Sequence, residues 1–331
     1  MDSETLQIAK EELREDEVTR ENALTQIRLW LRQNKKIINS RTDENFLLRF
    51  LRAKKFSLPL AQEALERYLL LRQTFGQRLF YKLDVKCPRL EKLLSLGYIF
   101  VVPKRDKNGR RIIITRPGVF DPSKWTNEDM CRMHGMTYET LMEDQINQVR
   151  GFVHYTDAAG MSLQQMTLFT PREAIRIVKN GERTLPMRHK EIYGVNVPTT
   201  LKYALDFGMS LVSEKIRSRV KIFSTIEESH SYVDKTLLPK EYGGETEMST
   251  MIGNYDIFGY KNFALIIYYI HTSVDLWREE LLEKREQILK NEKMSVEEDL
   301  FSEGARQGRV SALNNNSPQF MVGSFRKLAV D

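Results

Sequence analysis

LKYALDFGMSLVSEKIRSRVKIF, residues 201–223, reads as an amphipathic helix, a basic turn and a strand in succession. At helical spacing Leu201, Ala204, Leu205, Gly208, Leu211 and Val212 share one face, the arrangement of a core-facing helix. Tyr203, Phe207 and Met209 carry the apolar arc well past that face and leave Lys202, Asp206 and Ser210 as a narrow polar strip. A helix this apolar is either buried on two sides or covers something greasy. Lys215, Arg217, Arg219 and Lys221 follow it, offset by Glu214. Two readings stay open: a core helix before a solvated basic turn, or an apolar lid beside a cationic patch that docks on an anionic membrane.

Upstream the same helix-to-strand alternation recurs. Residues 98–102 and 111–115 are strand-like and flank Asn108-Gly109, a strong hairpin signal. A long helix is expected over 127–149, then a strand over 152–156, a helix over 171–180, a strand over 192–197, the opening helix, and a strand over 220–224. Strands alternating with helices predict an α/β fold with a mixed, mostly parallel sheet. Before it, residues 1–80 read as a helical bundle. Ala23, Ile27, Trp30 and Leu31 repeat at helical spacing behind Thr19 as N-cap, and Phe46, Leu47, Phe50 and Leu51 do the same. Pro59 suits a first turn, with Leu60, Ala64, Leu65, Tyr68 and Leu69 following on one face. Short helices bury little alone, so the bundle is expected to pack on the main domain at 90–250. Residues 251–291 then hold an insertion and a C-terminal helix. The polar tail, 292–331, is expected to be disordered.

Hydrophobic residues make up 41% of the 331 positions and charged ones 29%, ordinary for a globular chain. A net charge of +6 is compatible with an anionic membrane or with nucleic acid and diagnostic of neither. Cys87 and Cys131 have no disulfide-framework or metal spacing, which favours a reducing compartment. The N-terminus is acidic and polar, unlike a signal peptide, and the longest apolar run, 263–270, is too short to span a bilayer. Any membrane contact is therefore expected to be peripheral.

An enzyme needs a nucleophile, a metal or a cofactor cradle, and the sequence shows none. It has no G-x-G-x-x-G, Walker loop or G-x-S-x-G elbow, and its histidines lack zinc spacing. Asp157, at a strand end, could be a catalytic carboxylate, as could His154 in a lipid hydrolase; a capping or loop role for Asp157 is the simpler reading. The basic runs lack the aromatic repeats of single-strand binders, so nucleic acid is not expected as a partner. Apolar residues from many elements could line one cavity: Cys131, Met133, Phe152, Tyr155, Phe169, Ile177, Ile192, Phe207 and Leu211. A packed core looks the same in sequence.

Two motifs resolve the ambiguity. Leu238-Pro239-Lys240-Glu241-Tyr242-Gly243-Gly244 and FLLRFLRAKKF at 46–56, with GVNVP at 194–198 and EKIRSR at 214–219, resemble the CRAL-TRIO (Sec14-like) lipid-binding family, nearest its tocopherol- and retinaldehyde-carrying members. The resemblance covers most of 19–244. It implies a non-enzymatic, monomeric, cofactor-free carrier in the cytoplasm. One hydrophobic ligand would sit beneath a mobile gate helix, here 201–212, which opens at endosomal or other intracellular membranes carrying phosphoinositides. The lipid head group would be held by Lys54, Arg188, Lys190, Lys215 and Arg219. A phosphoinositide-binding trafficking adaptor without bulk transfer is the alternative.

The chain also departs from the family. His134 and Tyr138 stand where the tocopherol carriers have serines, so the ligand cannot be assumed to be tocopherol. His134 is expected either to donate to a ligand oxygen or to be a core histidine. Between the double glycine and the Trp277 helix lies NYDIFGYKNFALIIYYIHT at 254–272, either a genuine apolar lip or a retained intron read in frame.

Overall fold

The structure is a computed structural model in which residues 1–79, 81–166, 168, 185–253 and 276–297 are described, residues 73–79 and 166 by their backbone. Helices α1 (Ser3–Leu13), α2 (Glu17–Gln33), α3 (Glu44–Ala53) and α4 (Leu58–Leu79) form the N-terminal bundle. Asp16, not Thr19, caps α2; its carboxylate accepts from the Thr19 amide at 2.7 Å. A charged oxygen serves the positive helix end better than a hydroxyl three residues inside it. Leu47, Phe50 and Leu51 are buried against Leu65, Tyr68 and Leu69, while Leu60 turns out to solvent at 51% exposure.

The main sheet has five strands in the order β2-β3-β4-β5-β6. These are β2 (Ile99–Val101), β3 (Arg111–Thr115), β4 (Phe152–Asp157), β5 (His189–Val195) and β6 (Val220–Phe223). Only β2 and β3 are antiparallel; the rest run parallel, as the alternation of elements predicts. The turn between β2 and β3 is built by Asp106, whose carboxylate accepts from the Asn108 and Arg110 amides, with Gly109 at φ 71°. The helix expected over 127–149 is two helices, α6 (Asn127–Leu141) and α7 (Gln145–Arg150). A Thr126–Asp129 capping box starts α6, and Asp144 begins α7 by accepting from the Ile146 amide, so the chain breaks where a local cap competes with helix continuation.

α5 (Pro88–Ser95), α6 and α13 (Trp277–Lys290) pack together over the β2 side of the sheet. Between them the chain adds the short helices α8 (Leu163–Met166), α9 (Lys202–Leu211), α10 (Glu214–Arg217), α11 (Ile226–Ser229) and α12 (Met248–Ile252). After α13, β7 (Ser295–Val296) returns to pair with β1 (Ile37–Ile38) in the bundle.

The FLLRFLRAKKF segment explains how bundle and sheet domain are joined. Arg49 and Arg52 are both 1% exposed and lie in the core rather than on a basic surface. Arg49 donates to Glu139 at 3.1 Å and Glu143 at 2.7 Å, both presented by the α6 side of the main domain. Arg52 makes two bonds to Glu15 and one each to Gln148 and Gln145. Tyr68 adds a bond to Glu139. Cations buried this deeply persist only when carboxylates meet them, so the motif is a lock between the two parts.

Candidate functional site

The two faces of the sheet differ. Val153, Tyr155, Asp157, Tyr193, Val195 and Phe223 are buried. Their neighbours on the opposite face, His154, Thr156, Ile192 and Val220, keep accessible surface, and Ile222 is 44% exposed. Register puts His154, Ile192 and Val220 in one row across β4, β5 and β6. Alternation of this kind means one covered face and one open one. On α6 the residues at i, i+3 and i+7, Cys131, His134 and Tyr138, are likewise half-buried, while Met133, Met136 and Thr137 on either side are buried. The stripe meets the floor where the Tyr138 and His154 rings stand edge to face, 6.3 Å between centroids.

Burial nonetheless desolvates these groups. It pushes the His134 imidazole down to about 4 and His154 well below its ordinary value, with His189 adding to the latter shift, and it raises the Tyr138 phenol. Protein surrounds these side chains without covering them fully, so the space between the α6 stripe and the floor is a hollow rather than solid core. A polar chain runs along it. Tyr98 Oη lies 3.0 Å from His134 Nε2, His134 Nδ1 lies 3.0 Å from Tyr138 Oη, and His154 Nε2 lies 2.8 Å from His189 Nδ1.

Between β5 and β6 the chain forms α9. None of its residues is buried; Tyr203 is 86% exposed, and a Cβ on Gly208 would meet nothing within 4 Å. The core-helix reading of this segment is therefore overturned: only Leu201, before the helix proper, is buried. Phe207 and Leu211 sit on α9 and are half-exposed. The basic turn that follows is one helical turn, α10, whose Arg217 donates to the Met209 carbonyl at 3.2 Å.

Of the sequence-derived pocket residues, Cys131, His134, Tyr138 and Ile192 line the stripe and the floor. Phe152 shares the floor's face but is fully buried. Tyr155 is on the covered face, bonded to Ser229 at 2.9 Å and against the Tyr242 ring. Phe169 and Ile177 fall outside the described residues, as do the 171–180 helix, the 254–272 insertion and the tail from 298.

The cations fall into two sets, Lys54 with Lys215, and Arg188 with Lys190 and Arg219. Burial lowers the Lys54 ammonium, with Arg67 and Lys215 adding to the shift. Lys54 caps the C-terminus of α3, and the next two residues, Lys55 and Phe56, adopt positive φ in a tight turn. Burial likewise lowers Arg188, with Arg219 and Arg110 contributing, and lowers Lys190, with Arg188 and Arg110 contributing. Arg219 donates to the His189 carbonyl and Arg188 to that of Val149. Sequence reasoning missed Arg110, which arrives from the β2–β3 turn, and Glu12 of α1. Glu12 Oε2 accepts from both Arg188 and Lys190. Nothing in the local sequence marks Glu12 among its acidic neighbours.

Asp157 is fully engaged. Oδ1 accepts from Asn196 Nδ2 at 2.9 Å and the Ala159 amide at 3.0 Å, and Oδ2 from Tyr242 Oη at 2.8 Å. Asn196 does this from a left-handed conformation, φ 54°. Thus GVNVP and LPKEYGG are tied to one strand end, a structural role rather than a catalytic one. Among the described residues no three His, Cys, Asp or Glu side chains are grouped to hold a metal, and no helix is long and apolar enough to cross a membrane.

A half-buried, half-apolar sheet face, an uncovered apolar helix and two sets of cations on an α/β sheet domain define a fold of the ligand-binding class. The family model for the CRAL/TRIO domain matches residues 96–244. The human alpha-tocopherol transfer protein-like protein is 30% identical over 248 residues, 74% of this chain and 72% of that protein. Clavesin-1 of Xenopus laevis is 28% identical over 245 residues, 74% of each. The crystal structure of Sfh5 superposes with a TM-score of 0.48 at 14% identity, covering 78% of this chain and 98% of that one. The chain belongs to the CRAL/TRIO family of lipid-binding and lipid-transfer proteins.

Proposed function

We propose that this protein is a monomeric, cytoplasmic carrier that holds one hydrophobic ligand between α6, the sheet floor and α9, and exchanges it at phosphoinositide-bearing membranes, including endosomal ones. The observation that carries the reading is the half-buried stripe and floor, whose histidines are desolvated yet keep accessible surface. An apolar ligand there would recover roughly 25 cal/mol for each Å² it buries, the driving force for leaving a bilayer. α9 acts as the gate: it contributes no buried residue, so swinging it outward sacrifices little core packing, and Tyr203, Phe207 and Met209 can meet acyl chains. Lys54, Lys215, Arg188, Lys190 and Arg219 bind the anionic head group, each cation adding roughly 1 kcal/mol near a charged leaflet. Release would be non-enzymatic, since Asp157 is consumed by structural bonds. Transfer of a fluorescent lipophile between vesicles tests it: acceptors with phosphoinositide should accelerate transfer over neutral ones. No transfer from either would reject carriage.

A further inference from the structure

The direction of the hydrogen bonds through His134 specifies the chemistry of the ligand's polar end, an inference that rests on the carrier reading. Tyr98 is 1% exposed, and among the described residues its hydroxyl has one partner, His134 Nε2 at 3.0 Å. A buried O–H with a single partner donates to it, because the reverse assignment strands a proton in an apolar interior. Nε2 therefore accepts. A neutral imidazole carries its proton on the other nitrogen, so Nδ1–H donates to Tyr138 Oη at 3.0 Å. The Tyr138 oxygen is thereby taken as an acceptor, and its own O–H has no acceptor among the described residues. The Tyr138 side chain is half-buried and its ring meets that of His154 edge to face across the space between α6 and the floor.

We infer that Tyr138 is the ligand-facing donor of the hollow and that the ligand presents an uncharged acceptor oxygen to it, as a carbonyl, ester, ether or alcohol does, rather than a carboxylate. No lysine or arginine occupies the α6 stripe at 131, 134 and 138 or the floor at 154, 156, 192, 220 and 222. An ionised head group would be desolvated there without a counter-charge. His134 itself is not the donor to ligand, since both its ring nitrogens are already used.

The test uses the delipidated full chain and three matched pyrene-labelled probes: a long-chain hydrocarbon, its methyl ester and its free acid. The ester should bind about tenfold more tightly than the hydrocarbon and more tightly than the acid. Tyr138→Phe should erase the ester's advantage and leave hydrocarbon affinity unchanged. The ester carbonyl stretch should lie at lower frequency in the wild type than in Tyr138→Phe. Tyr98→Phe, which frees His134 to turn its acceptor towards Tyr138, should weaken the ester by a smaller factor without touching it. Tightest binding of the acid, equal ester and hydrocarbon affinities, or an unchanged ratio in Tyr138→Phe overturns the inference and leaves carriage standing. Failure of all three probes to bind overturns both.

Discussion

Glu12 and Lys190 form an ion pair, Nζ to Oε2 at 2.8 Å, and the same carboxylate oxygen also accepts from Arg188. Burial raises the Glu12 carboxyl, but the bonds from Lys190 and Arg188 outweigh it and hold the group below its ordinary range. Glu12 thus occupies the basic set of Arg188 and Lys190 as an internal anion, and the head group proposed to bind there would have to displace it. Glu12→Gln should raise affinity for phosphoinositide vesicles several-fold at low salt, with the gain shrinking as salt screens it. The α1 helix would stay in place through the Arg150 contacts to Asp2, Glu4 and Thr5. Vesicle co-sedimentation across a salt series measures this; unchanged affinity would remove Glu12 from the account.

Lys215→Glu should act in the opposite direction. Lys215 is exposed, so the change leaves the core untouched, while it replaces repulsion of Lys54 with attraction and removes a head-group contact. With two charge units altered at roughly 1 kcal/mol each, vesicle binding should fall by tenfold or more at constant melting temperature.

Arg49→Ala should be severe. It removes the guanidinium that bridges Glu139 and Glu143 and leaves Glu139 to Arg72 and Tyr68 and Glu143 to Arg41. Breaking one side of a buried ion pair costs about 3–5 kcal/mol, and the remaining partners bring the expected drop in unfolding free energy to about 3 kcal/mol, read by denaturant titration. A change below about 1 kcal/mol would mean that the bundle is not locked to the sheet domain through this residue.

Gly244→Ala should destabilise by more than about 1 kcal/mol, because its Cβ would come within 1.8 Å of the Leu238 carbonyl oxygen. Gly243 holds φ 87° beside it, which explains the paired glycines of the closing motif. Thermal unfolding of the single variant checks this.

His134 gives stability a pH dependence of definite sign. Its folded value is depressed from 6.5 to about 4 by burial. Between those limits the unfolded chain binds the proton and the folded chain does not, so stability falls with pH below 6.5 and the loss is complete near 4. His154, lowered by burial and by His189, adds in the same direction. His134→Asn should flatten the slope between pH 6.5 and 5, a window above most carboxylate titrations. An unaltered slope would contradict the desolvated site.

The parallel sheet, the antiparallel opening pair and the bundle were legible because hydrophobic periodicity and the Asn108-Gly109 turn are local signals. The break between α6 and α7 was not, since it depends on Asp144 capping rather than on periodicity. The burial of Arg49 and Arg52 has no local signal; only the tertiary arrival of Glu139, Glu143 and Glu15 makes it tolerable. The Leu201 segment has the pattern of a core helix, and pattern cannot say whether anything covers it. Tyr155 was placed with the pocket by its aromatic character, yet the parity of β4 turns it to the covered face. Tyr98 and Glu12 had no local signature, because their roles come from partners 36 and 178 positions away.

The central claim is a lipid in the hollow. Native mass spectrometry of the full chain purified from cells, followed by gentle collisional activation, tests it most directly. The account predicts a one-to-one complex that loses a single neutral, hydrophobic molecule bearing an acceptor oxygen. A chain that flies only at its bare mass, with no stoichiometric lipid in its organic extract, would contradict it.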